Sequence, residues 1–130
     1  MGMDQTRVSL LAAILERHMR VNLAQQDLYF NVAGGLRLSE PATDLAAAAA
    51  IWSSAENHPL PHDMVFIGEL GLTGEVRRVP LPEVRLMEAR KLGFKSAVIP
   101  EGCMERVAGM SGIAILPIKK IRDLTSVLPQ

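Results

Sequence analysis

Residues 64–79 read MVFIGELGLTGEVRRV, and this stretch decides the fold. Its two halves, 64–70 and 75–79, are rich in side chains that favour strands, and they flank a Gly-Leu-Thr-Gly turn at 71–74. Turn residues between two such runs are typical of a hairpin. The stretch therefore predicts two antiparallel strands joined by a tight turn.

Helices and further strands are predicted on both sides of this hairpin. Apolar residues at helical spacing predict a helix over 5–20. Pro41 and its acidic neighbours begin a second helix over 42–55, because proline fits a first helical turn and acids suit the positive end of the dipole. The other predicted elements are a strand at 28–33 ending at Gly34-Gly35 and resuming at 36–38, a helix at 82–92 closed by Gly93, a strand at 96–99, a helix at 103–108, a strand at 113–116 and a helix at 119–127. Strands that alternate with helices indicate an α/β layered domain.

Composition limits the classes of function. The 130 residues suit one domain, and 48% hydrophobic with 22% charged residues argues against disorder. Fourteen basic side chains balance fourteen acidic ones, so binding to nucleic acid or a membrane would need a local patch. Aromatic residues make up 4%, which argues against a stacking platform for single strands.

The chain is expected to work in the cytoplasm without membrane contact. Its longest apolar run, 45–52, is too short to cross a bilayer, and no signal peptide is visible. The one cysteine, Cys103, excludes an internal disulfide and suits a reducing compartment. Residues 1–3 are expected to be a cloning remnant, and 4–130 a single domain of a longer protein.

Several residues have the chemistry of a site, but simpler interpretations are favoured. His58 and His62 have the spacing of a helical metal pair, yet the prolines between them forbid the helix, so we predict solvent-facing loop histidines. Cys103, near a helix start, is predicted to be a packed thiol. Gly34-Gly35 lacks the rest of a phosphate-binding motif. No metal or cofactor is expected in this chain.

A local cluster of basic residues lies between the hairpin and the strand at 96–99. It comprises Arg77, Arg78, Arg85, Arg90, Lys91 and Lys95, with only Glu75, Glu83 and Glu88 as acids. Two interpretations stay open, a solvated face or a surface that contacts phosphate. Because neighbouring strand residues face opposite sides, only one of Arg77 and Arg78 can join a given surface.

Several phrases resemble the Lon-type peptidase family over roughly residues 26–128. They are EPATD at 40–44, where the family has Asp-Gly-Pro-Ser-Ala-Gly, GELGLTGEV at 68–76, the segment 82–100 and LPIKKI at 116–121. The phrases NVAGG at 31–35, EPATDLA at 40–46 and EARKLGF at 88–94 are more similar to the Lon-like domain of RadA-type (Sms) bacterial DNA repair proteins. The resemblance implies a Lon protease-like fold, also called ribosomal protein S5 domain 2-like, lacking its first strands and leaving a sheet edge to be covered.

The resemblance also identifies which positions would carry peptidase chemistry. The nucleophilic serine falls on Ala42, which cannot attack a carbonyl, and the lysine base falls on Arg85, which stays protonated. Both halves of the dyad are therefore missing, and we expect no enzyme activity from this chain. A displaced nucleophile, Thr43 or Cys103, is the alternative for a working peptidase.

The implied role is a non-proteolytic scaffold that forms homo-oligomers, ring-like in the intact protein. Weak contact with the DNA backbone, without sequence preference, is expected through Arg77, Arg78 and Arg85. Arg85 either lines the inner face of a ring or pairs with a carboxylate such as Asp44. ATP, Mg and Zn are expected only in upstream domains of such proteins, where the DNA-dependent ATPase would reside. A stand-alone interaction domain without a DNA role is the third hypothesis.

Overall fold

The computed structural model describes residues 5–21 and 40–129. The predicted strand at 28–33, Gly34-Gly35 and 36–38 lie outside the described residues. The elements are α1 (Gln5–Met19), α2 (Asp44–Glu56) after a 3₁₀ turn (Pro41–Thr43), β1 (Met64–Phe66), β2 (Glu69–Leu70), β3 (Val76–Arg77), α3 (Pro82–Lys91), β4 (Ser96–Pro100), α4 (Met104–Val107) after a 3₁₀ turn (Glu101–Cys103), β5 (Ala114–Ile118) and α5 (Leu124–Val127) after a 3₁₀ turn (Ile121–Asp123).

The described strands form a parallel sheet and a separate hairpin. The sheet has the order β1–β4–β5, with Ser96 opposite both Met64 and Ala114. The hairpin pairs β2 with β3, Glu69 opposite Arg77. The predicted antiparallel hairpin is therefore confirmed, although its strands are shorter than predicted.

The prediction of one strand over 64–70 is wrong, because the chain changes partners at Gly68. The N–H of Ile67 still donates to Val98, a β4 residue, but the N–H of Gly68 donates to Ala42 O and its carbonyl accepts from Leu45 N, each at 3.0 Å. A Cβ at position 68 would lie 2.9 Å from Val76 Cγ1. Glycine at position 68 therefore leaves room for the Val76 side chain of β3 where the chain leaves the sheet.

Two hydrophobic clusters cover the two faces of the sheet. One joins α1 and α2 to Phe66 and Val98, and the other joins α3 to Ala97 and Ile99. The alternation of residues 97, 98 and 99 between the clusters is the period of a strand buried on both faces. The predicted α/β layered arrangement is confirmed as a mixed α/β fold with a parallel sheet.

Helix boundaries agree with most of the local signals. Pro82 begins α3, and Gly93 follows its end with a φ of 95°, a conformation that glycine adopts without strain. The predicted helix at 119–127 begins later, because Lys120 pairs with Glu75 beside the hairpin. This pairing attaches the end of the chain to the hairpin.

Candidate functional site

The two positions of the predicted peptidase dyad lie on adjoining elements. Ala42 is buried in the same cluster as Leu86 of α3. Arg85, one residue before Leu86, donates from Nη2 to the carboxylate of Glu40 and from Nε to Pro80 O at 2.8 Å. Arg85 thus pairs with a nearby carboxylate, one of the two predicted interpretations, but the acid is Glu40 and not the suggested Asp44. This ion pair connects the segment before α2 to the first turn of α3.

Asp44 has a different cation, one that the sequence analysis did not identify. Arg7 of α1 donates from Nε to Oδ1 at 2.7 Å and from Nη2 to Oδ2 at 2.5 Å. The backbone N–H of Leu70 donates to Oδ2 at 3.0 Å. The Asp44 side chain is 1% exposed. A two-pronged pair of this kind fixes geometry as well as charge, so Asp44 connects α1, α2 and the hairpin.

The two alternative nucleophiles are engaged or buried. The Thr43 hydroxyl donates to Glu40 O at 2.7 Å within its own turn. Cys103 is 2% exposed and packs in the cluster that contains Ile99 and Val107, as predicted for a packed thiol. The Thr43 hydroxyl therefore faces a carbonyl oxygen, which cannot act as a base, and the Cys103 thiol is shielded from solvent.

The three predicted DNA-contacting arginines differ in availability. Arg77 donates from Nε and Nη2 to Glu75 Oε2 at 3.0 and 2.8 Å, and Arg85 pairs with Glu40. The exposed side chain of Arg78 passes over Gly102, with no carboxylate partner among residues 5–21 and 40–129. Arg77 and Arg78 thus contact different parts of the molecule, although Arg78 lies just beyond the end of β3 and not on the strand.

The carboxylate of Glu75 is held ionised by its neighbours. The hydroxyl of Thr73 donates to it, backbone N–H groups donate to it, and Arg77 adds both hydrogen bonds and positive charge. Together these lower the pKa of Glu75 from 4.5 to about 2. The ion pair between Glu75 and Arg77 is therefore a structural part of the hairpin.

The histidines have separate surroundings. The ring of His58 lies 5.1 Å from that of Trp52, which leaves His58 half-buried rather than solvent-facing as predicted, whereas His62 is exposed. His18 Nε2 lies 3.3 Å from Leu72 O. In the described part of the chain, no three His, Cys, Asp or Glu side chains are grouped as metal ligands.

A pocket of about 180 Å³ lies between the end of α1, the hairpin turn and the segment before α5. It is lined by His18, Thr73, Gly74, Lys120, Ile121 and Arg122. No sequence pattern indicates this pocket, because His18 lies about a hundred positions from Lys120 and Arg122 and no local spacing connects them. The packing of α1 beside the hairpin brings them together.

In the described ranges no helix has the length and apolar character that crossing a membrane requires.

Comparison with known proteins gives two results. A family model described as subunit ChlI of Mg-chelatase matches residues 4–103. Proteins named DNA repair protein RadA are 46% identical over 125 residues in Pseudomonas aeruginosa and 47% identical over 127 residues in Halalkalibacterium halodurans, covering 95% and 97% of this chain. A RadA of Brucella abortus is 49% identical over 104 residues, or 80% of the chain. The chain spans 28%, 28% and 22% of the length of these relatives.

Proposed function

Because the chain belongs to the family whose model is described as subunit ChlI of Mg-chelatase, and is related to bacterial proteins named DNA repair protein RadA, we propose that it is the non-proteolytic, Lon-like assembly domain of a RadA-type repair protein. Its site of action is the cytoplasm. We propose that the ATPase chemistry, with the ATP, Mg and Zn that the resemblance implies, lies outside this chain.

The observation that carries the proposal is the chemistry at Ala42 and Arg85. A methyl group cannot form an acyl intermediate, and a guanidinium that donates to Glu40 cannot remove a proton from a nucleophile. What remains at the start of α2 is a set of ion pairs that fasten secondary-structure elements to one another.

The displaced-nucleophile alternative is weaker on the same grounds. A cysteine that is 2% exposed cannot reach a peptide, and the hydroxyl of Thr43 donates to the carbonyl of Glu40, which cannot act as a general base. Incubation with an unfolded protein substrate should therefore yield no fragments. Cleavage that is lost on Thr43→Ala or Cys103→Ser would contradict the proposal, because a contaminating protease would be unaffected by either change.

The assembly role is supported by an apolar ridge on α3. Leu81, Val84 and Met87 are spaced three apart and are 57%, 51% and 44% exposed. Leu81 also has a left-handed backbone, φ 53°, which costs a non-glycine residue roughly 1–2 kcal/mol. An exposed leucine with a strained backbone at the end of an apolar ridge is typical of a surface that another molecule covers. We propose that a second copy of the chain covers it.

Contact with DNA is proposed for Arg78 before Arg77 or Arg85. A cation that is already paired must give up its carboxylate to gain a phosphate, so its net contribution is small. Binding should be weak, strongly salt-dependent and insensitive to base sequence. Arg78→Ala should weaken it and lower its salt slope, whereas Arg77→Ala should do so less. Equal effects of the two substitutions would contradict this ranking.

A further inference from the structure

We propose that the pocket formed by His18, Lys120 and Arg122 binds a phosphate group. These side chains converge from two segments, the end of α1 and the turn before α5, on one cavity of about 180 Å³. The pocket is separate from the start of α2 and from the α3 ridge. The inference therefore depends neither on the lost peptidase chemistry nor on assembly.

The pocket carries positive charge that the described residues do not neutralise. Neither Lys120 nor Arg122 has a carboxylate partner within residues 5–21 and 40–129. The acids beside it are occupied: Glu75 accepts from Thr73 and Arg77, and Asp123 Oδ2 accepts the backbone N–H groups of residues 119 and 120. An anion entering the pocket would thus meet unpaired cations.

A second cleft extends the same positive surface. It has a volume of about 340 Å³, shares His18 and Arg122 with the first, and adds Arg20 from the residue that follows α1. Glu56 is the acidic side chain in its lining. The helix dipole is sufficient to explain the basic residues at the end of α1. Lys120 and Arg122 come from another segment and need a different explanation.

The backbone around the pocket is held in place before any ligand arrives. Gly74 has a φ of 83°, and a Cβ there would lie 3.0 Å from the ring of His18. The N–H of Ile121 donates to Gly74 O at 2.8 Å, and Lys120 bridges to Glu75 in the hairpin. A site whose walls are fixed loses little entropy when it binds.

The size and chemistry of the pocket select the ligand class. A cavity of about 180 Å³ has room for a phosphate group, and the adjoining cleft of about 340 Å³ leaves space for whatever the phosphate is attached to. Arg122 can donate in a two-pronged manner to two oxygens, and Lys120 supplies a compact charge. The phosphate could come from a nucleic-acid backbone or from a free phosphate compound.

Two titrations of the full chain, followed by NMR of its backbone amides, distinguish these sources. One uses inorganic pyrophosphate and the other a short single-stranded oligothymidine. We expect saturable shifts centred on Gly74 and Lys120 with at least one probe. Lys120→Ala and Arg122→Ala should each weaken that binding at least about tenfold, the lower end of the loss for a hydrogen bond to a charged group. Lys91→Ala, which removes an exposed charge at the end of α3, should change it less than twofold.

Each outcome of the titrations either supports or overturns the proposed phosphate site. Shifts with pyrophosphate identify a free phosphate compound, and shifts with the oligonucleotide alone identify a nucleic-acid backbone. The proposal is overturned if neither probe shifts these amides, or if Lys91→Ala weakens binding as much as Arg122→Ala. The amide spectrum of each variant also reports whether it is folded, and His18→Gln provides a third substitution should one of the others fail.

Discussion

Replacing Asp44 with alanine should destabilise the protein by about 3 kcal/mol. The substitution removes the acceptor of two hydrogen bonds from Arg7 and one from the N–H of Leu70. Removing one partner of a buried ion pair costs about 3–5 kcal/mol. Because the Arg7 side chain is 25% exposed and can regain water, we expect the lower end of that range. That is a large share of a typical stability of about 5–15 kcal/mol.

Urea unfolding followed by circular dichroism measures this loss. Asp63→Ala is the matched control, since its carboxylate has no partner within the residues described, and it should change stability by less than about 0.5 kcal/mol. Arg7→Ala and the double variant complete a cycle, in which the two single losses should sum to clearly more than the double loss. A loss below about 1 kcal/mol for Asp44→Ala would refute the view that this pair holds α1, α2 and the hairpin together.

Three further predictions concern the hairpin and the start of α3. Because the pKa of Glu75 is lowered, the contribution of this carboxylate to stability is complete above pH 4.5 and is lost as the pH falls toward about 2. The difference in unfolding free energy between the unaltered protein and Glu75→Gln should therefore vanish over that interval. Gly74→Ala should cost about 1–2 kcal/mol in urea unfolding, because its left-handed backbone and the ring of His18 both oppose a Cβ, and an unchanged midpoint would contradict this. Leu81→Gly should leave the monomer unchanged or raise its stability by up to about 1 kcal/mol, since backbone strain is relieved and little buried area is lost; a clear loss would count against strain at this position.

The parts of the fold that sequence predicted are those with local signals. The Gly-Leu-Thr-Gly turn predicted the hairpin, and Pro82 with Gly93 predicted α3, because turns and caps depend on a few adjacent residues. The end of the strand at Gly68 was not predicted, because it depends on hydrogen bonds between Gly68 and residue 42, in the turn before α2, and between Gly68 and residue 45, in the first turn of α2. No periodicity contains that information.

The interactions at the candidate site could not be predicted from the sequence. The resemblance named positions 42 and 85, but Arg7 as the partner of Asp44 and Glu40 as the partner of Arg85 were not identified. Arg7 is 37 residues from Asp44 along the chain, and Glu40 is 45 residues from Arg85. Which cation pairs with which acid is decided by tertiary packing. For the same reason, a cluster that is basic in sequence contains arginines that are already paired.

Light scattering that reports absolute mass tests the assembly role most directly. The chain should have a mass above 14.2 kDa at micromolar concentration, and Val84→Asp, which places a charge in the middle of the α3 ridge, should return it toward the monomer. Leu72→Asp introduces the same charge at a leucine that is 67% exposed in the hairpin turn, and it should leave the mass unchanged. A mass of 14.2 kDa for the unaltered chain across a hundredfold range of concentration would contradict the account.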